Sequence, residues 1–133
     1  MLENLDLEVI RDEIRPDLLR VENDDAAIES LLVDAAPALR MRGPGFWANI
    51  REQFVLFLCT DDPVYAEERT AFRRRGREAT PILMGMLTGA IIAALGGGVL
   101  INTLAPFVAL LLYAAAKMGK EAFCQTYCPA ATT

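Results

Sequence analysis

The sequence predicts an all-α protein in which a small cytoplasmic helical domain precedes a C-terminal transmembrane helical hairpin. Three observations predict it. Apolar residues recur at helical spacing, and no stretch shows the alternation of a strand. No residue from Pro81 to Ala116 is charged, in a chain of 133 residues that is 53% hydrophobic. Basic residues flank that segment on both sides while its middle carries none, the pattern of a hairpin whose two ends lie on one side of a bilayer.

The first helix is read from Leu5, Leu7, Val9, Ile10 and Ile14, and it ends or kinks at Arg15-Pro16, because proline disfavours helix at the residue before it. Asn23-Asp24-Asp25 is an N-cap cluster, and Ile28, Leu31, Leu32 and Ala35 form the stripe of a second helix that stops near Pro37. Arg40 to Gly45 reads as a loop. The third helix carries the expected soluble core, with Phe46, Trp47, Ile50, Phe54 and Leu58 on one face and Phe57 beside them. Asp62 then caps a fourth helix with Pro63 at its first position. Glu67 and Glu68 open this helix and Arg73, Arg74, Arg75 and Arg77 lie toward its end, the order the helix dipole favours. It is expected to run directly into the apolar segment.

From Gly76 to Met118 the unit is 43 residues long. A single straight helix of that length would measure about 65 Å, roughly twice the hydrocarbon thickness. Two crossings fit better. The turn is expected within 96–106, preferably at Gly96-Gly97-Gly98 and otherwise at Asn102–Pro106, since glycines are the easiest place to break a helix. The expected organisation is therefore an acidic cytoplasmic helical region over 1–79, a transmembrane hairpin over 80–118 and a short tail over 119–133. The competing reading is a helical hairpin buried inside a soluble assembly, suggested by the short arms and the Gly and Ala content.

Charge bears on partners. Residues 1–39 carry a net of −8, residues 40–80 a net of +2 and the remainder +1, within a formal −5 overall. An acidic N-terminal end argues against nucleic acid, whose phosphates need a basic surface. Arg73, Arg74, Arg75 and Arg77 before the hairpin, with Lys117 and Lys120 after it, suit anionic headgroups of a lipid bilayer. Met1 to Arg20 has acids where a secretory signal needs a basic start and an apolar core. Both termini are accordingly expected on the cytoplasmic side of a bacterial inner membrane.

Gly85, Gly89, Ala93 and Gly97 recur at intervals of four, a helix-association stripe of the kind that lets backbones approach inside a membrane. It serves either packing against the second arm of the same hairpin or assembly of a homo-oligomer. Cys124 and Cys128, four apart, permit a weak metal pair, a disulfide or lipidation, though a tail with incidental cysteines is the simpler reading. Cys59 reads as a core residue. The chain has no histidine, which removes the commonest general base and transition-metal ligand. Asp61 and Asp62 read as caps. We expect no catalytic residues, no cofactor, no metal and no enzyme.

The stretch Phe57-Leu58-Cys59-Thr60-Asp61-Asp62-Pro63-Val64-Tyr65-Ala66-Glu67-Glu68-Arg69, with a hairpin closing in Ala116–Cys124, resembles small bacterial proteins. Its layout is similar to the two-helix transmembrane effectors of anti-phage defence systems. The likeness covers roughly residues 46–124 and assigns no site residue. It implies an effector that oligomerises, perturbs the inner membrane when its soluble part is engaged, and meets a soluble protein partner or sensor through residues 1–45. The alternative is a membrane-tethered adaptor or scaffold subunit that recruits a soluble partner through its acidic helices.

Overall fold

A computed structural model describes residues 2–42 and 45–127. Eight helices follow one another: α1 (Leu7–Glu13), α2 (Pro16–Arg20), α3 (Asp25–Ala35), α4 (Phe46–Cys59), α5 (Ala66–Arg74), α6 (Thr80–Ala94), α7 (Ile101–Met118) and α8 (Lys120–Tyr127). Short 3-10 turns cover Leu2–Asn4, Pro37–Arg42, Pro63–Tyr65 and Arg77–Ala79, and no strand occurs among the described residues. The class is all-α, as the periodicity predicts.

Local chemistry accounts for most boundaries. Asp6 starts α1 by accepting hydrogen bonds from the amides of Glu8 and Val9, and Asp24 starts α3 by accepting from Ala27 at 3.1 Å. Pro16 stands at the first position of α2 and Pro63 at that of the 3-10 turn before α5, where Asp62 accepts from Val64 at 3.0 Å. Three expectations change. The loop expected at 40–45 is in part the 3-10 turn Pro37–Arg42. The fourth helix does not run straight into the apolar segment, because α5 ends at Arg74 and Arg75 and Gly76 are extended. Asn102–Pro106 is not a break either. It lies inside α7, where Pro106 removes one intrahelical bond without ending the helix.

The centre of the molecule is α7. It packs against α1, α6 and α8, and also against α2, α3 and α4. Phe107, Val108, Ala109, Leu110, Leu111 and Leu112 are buried in unbroken succession, which requires neighbours on every side of the helix. A helix apolar all round is either the middle of a packed protein or a membrane span, and α7 has the composition of both. One apolar core runs from Leu2 through Phe54 and Leu87 to Phe123, so the charged first part and the uncharged second part share it. Trp47 on α4 meets Phe107 on α7 with ring centroids 6.3 Å apart. The chain enters the hairpin through Thr80, whose hydroxyl donates to the Arg77 carbonyl and accepts from the Asp6 amide at 3.0 Å.

Candidate functional site

The sequence directs attention to the α6–α7 hairpin. The chain leaves α6 at Ala94, reverses through Leu95–Leu100 and enters α7 at Ile101. Gly96, Gly97 and Gly98 have φ of 95°, 76° and 86°, a region that side-chain-bearing residues avoid. The reversal therefore depends on this glycine run.

The two arms differ in length. With 18 residues α7 is long and apolar enough to cross a membrane. With 15 residues α6 spans about 22 Å, short of the roughly 30 Å of hydrocarbon. One helix, rather than the expected two, meets the length as folded. Of the 18 residues of α7, eight are buried in the protein's own core.

α6 has two unlike faces. Thr80, Leu83, Met84, Leu87, Thr88 and Ile91 point inward, and the buried Thr88 hydroxyl is satisfied by the Met84 carbonyl at 2.7 Å. The opposite face is also uncharged, with Ile82 62% exposed and Gly85, Met86 and Gly89 partly exposed. At the turned end Leu100 is 75% exposed and Ile101 49%. The hairpin thus shows solvent an apolar, uncharged face and tip.

Gly85, Gly89 and Ala93 lie on this outer face, while Gly97 belongs to the turn rather than to the helix. A Cβ added at Gly85 would meet nothing within 4 Å, and one at Gly89 only the far end of Ile101 at 3.8 Å. Gly85 thus has open space beside it, whereas Gly89 faces the first residue of α7.

The basic residues gather at the other end of the hairpin. Arg73, Arg74, Arg75, Arg77, Lys117 and Lys120 are all exposed. Arg77 and Lys120 line one cleft with Ala116 and Gly119, facing Glu3, Asp6 and Glu8. The Lys117 ammonium stands 5.0 Å from the centre of the Tyr113 ring, a cation–π contact. One end of the hairpin is thus basic and the other apolar.

The expected soluble-core residues Phe46, Trp47, Ile50, Phe54 and Leu58 are all buried on α4. Both ends of that helix are held from outside it. Gly45 offers no side-chain cap. Instead the Glu29 carboxylate on α3 accepts from the amides of Gly45, Phe46 and Trp47 at 3.1, 3.0 and 2.6 Å. At the other end the guanidinium of Arg69, a residue only 6% exposed, donates to the carbonyls of Leu56 and Phe57 at 3.2 and 3.1 Å and also to that of Asp62. Sequence reasoning missed both residues, and no local pattern marks them. Beside this corner, burial and the nearby Glu68 and Asp62 charges push the Tyr65 phenol up to about 12. It stays protonated and donates to Gln53 Oε1 at 2.7 Å.

The cysteine reading needs correction. Cys59 is not an isolated core thiol and Cys124 is not part of an incidental tail: they form a disulfide, with Cα atoms 5.6 Å apart and 65 residues of separation. The expected tail is helical over Lys120–Tyr127, and Phe123 within it is fully buried. The pairing escaped notice because nothing local signals a partner so far away. Cys128 lies outside the described residues. Among the described residues, no group of three or more His, Cys, Asp or Glu could hold a metal ion. No protein-family model, no curated protein and no solved structure matches this chain.

Proposed function

We propose that the protein is an oligomerising effector of the bacterial inner membrane, held as a closed helical bundle until its soluble part is engaged. The observation that carries this reading is the position of α7. It is long and apolar enough to span a bilayer, yet it is packed between the uncharged α6 and the charged helices α1, α2, α3 and α8. Engagement of α1–α3 by a soluble protein partner would uncover α7 and let α6–α7 enter the membrane with the tip leading. The basic residues would stay at the headgroups, where each Lys or Arg contributes about 1 kcal/mol with anionic lipid. Local thinning would accommodate the short α6. The open space beside Gly85 and the partial exposure of Gly89 support assembly of neighbouring copies through close backbone contact.

A second reading is favoured by the exposed acids Glu8, Asp12 and Glu13 on α1, Glu22 in the turn after α2 and Asp34 on α3. In it those helices recruit a soluble partner and the hairpin is only a membrane anchor.

Expression in bacteria with potential-sensitive dye and membrane fractionation tests the proposal. The effector reading expects the chain in the inner-membrane fraction and a fall in potential when it is overproduced. Reporter fusions at Met1 and after Thr133 should give the same cytoplasmic signal. A chain that stays in the soluble fraction with the potential intact contradicts the proposal. A chain that fractionates with membranes, leaves the potential intact and tolerates an unrelated hairpin supports the adaptor.

A further inference from the structure

We infer that the Cys59–Cys124 disulfide is a redox latch that holds the bundle closed over α7 and is opened by a dithiol reductant. The sulfurs join the end of α4 to α8, the helix that follows the hairpin. Between them lie α5, α6 and all of α7, so the closed bond returns the far end of the hairpin to α4.

Among the described residues, α8 is otherwise held by its packing on α4 and α7. It is eight residues long and buries one side chain, Phe123, which meets Phe54 edge to face at 5.4 Å. Tyr127 adds a contact beneath the Arg51 guanidinium at 5.2 Å. Gly119, with φ 92°, breaks the helix between α7 and α8. Phe123 and Tyr127 share a crevice with Leu110, Leu111 and Ala114 of α7. Releasing α8 therefore uncovers the apolar helix itself.

Both cysteines are only partly buried, at the margin of the core. One thiolate of the dithiol attacks a sulfur of the Cys59–Cys124 bond, forming a mixed disulfide and expelling the other cysteine as thiolate. The second thiol of the reductant then closes on the mixed disulfide. Two electrons and two protons pass from the dithiol, which becomes a disulfide, to Cys59 and Cys124, which become thiols. The latch is closed only under oxidising conditions; in a reducing cytoplasm the bundle is held by packing and by the unengaged soluble part.

The consequence for membranes rests on the reading of α6–α7 given above, whereas the latch itself does not. The test uses the full chain with Cys128→Ser, so that only one pair of thiols remains. Amide hydrogen exchange is followed in the oxidised protein, after dithiothreitol and after reoxidation, alongside dye release from phosphatidylglycerol vesicles. We expect reduction to speed exchange in α8 and in residues 107–112 by about tenfold or more, reversibly, while α3 and α4 keep their protection. Cys59→Ser with Cys124→Ser should behave as the reduced protein does. Unchanged protection of α7 and α8 on reduction overturns the latch. Loss of protection throughout α3 and α4 also overturns it, because the bond would then be a staple of the whole core. Faster exchange in α7 without dye release upholds the latch and counts against the membrane reading.

Discussion

The Glu29 carboxylate reaches from α3 to the first turn of α4, where the Trp47 amide donates to its Oε2 at 2.6 Å. Three amides at that helix start find their acceptor in this one side chain. Helix starts favour negative charge, through both the free amides and the dipole. Since α4 carries Trp47, Phe54 and Cys59, Glu29 positions the helix on which the core and the disulfide depend.

Glu29→Ala should therefore destabilise the protein by about 0.5–2 kcal/mol, the range of a lost N-cap. Urea unfolding followed by Trp47 fluorescence measures it. A change within about 0.3 kcal/mol would mean that water replaces the carboxylate at no cost.

Phe54 is fully buried and touches both Phe57 and Phe123. Phe54→Ala should cost about 3–5 kcal/mol, a large share of the roughly 5–15 kcal/mol by which folded proteins are stable. The same unfolding experiment reads it. A variant as stable as the parent would show that this face of α4 is not the centre of the core.

Asp25 accepts from Arg51 Nη1 at 2.6 Å and from the Trp47 indole N–H at 3.2 Å. The Arg51 hydrogen bond, followed by that of Trp47, holds its carboxyl below the ordinary 3.8. A lowered folded pKa contributes stability that is complete above the unfolded value and lost as pH falls through the folded one. Because the Asp25 side chain is 61% exposed, the contribution stays below about 1 kcal/mol. Asp25→Asn should be less stable than the parent at about pH 6, and the gap should narrow toward about pH 3. A gap that widens on acidification would contradict the sign.

Gly89→Leu separates packing within the chain from packing between copies. An added Cβ meets only Ile101, at an ordinary 3.8 Å, so the monomer should fold with a stability change of about 1 kcal/mol or less. Leucine also favours insertion by a few tenths of a kcal/mol. In membranes the variant should remain inserted yet lose oligomers by cross-linking, along with any effect on potential. The control Ile92→Leu should keep both. Oligomers that survive Gly89→Leu would remove the stripe from the account and favour the adaptor.

What the sequence made legible was local. Asp24 and Asp62 announce helix starts because a cap acts within three residues, and the burial of Phe46, Trp47, Ile50, Phe54 and Leu58 follows from helical spacing. Glu29, Arg69 and the Cys59–Cys124 pair were not legible, since each acts on a helix distant in the chain. The length of α6 was obscured for another reason. Uncharged composition continues past Ala94, and only the positive φ of Gly96–Gly98 shows where the helix stops. For α7 composition is truly double-valued, because an all-round apolar helix satisfies a bilayer and a bundle equally.

The most direct test of the central claim places a reporter at the tip of the hairpin. Leu100 is 75% exposed, so Leu100→Trp should leave the bundle intact. The variant, reduced and mixed with phosphatidylglycerol vesicles whose acyl chains carry bromine, is compared with the parent to subtract Trp47. The account predicts that the added emission is quenched, and more strongly by bromine deep in the chain than by bromine near the headgroup. Added emission that no bromolipid quenches, from protein that stays with the soluble fraction, would contradict entry of the α6–α7 tip into the bilayer.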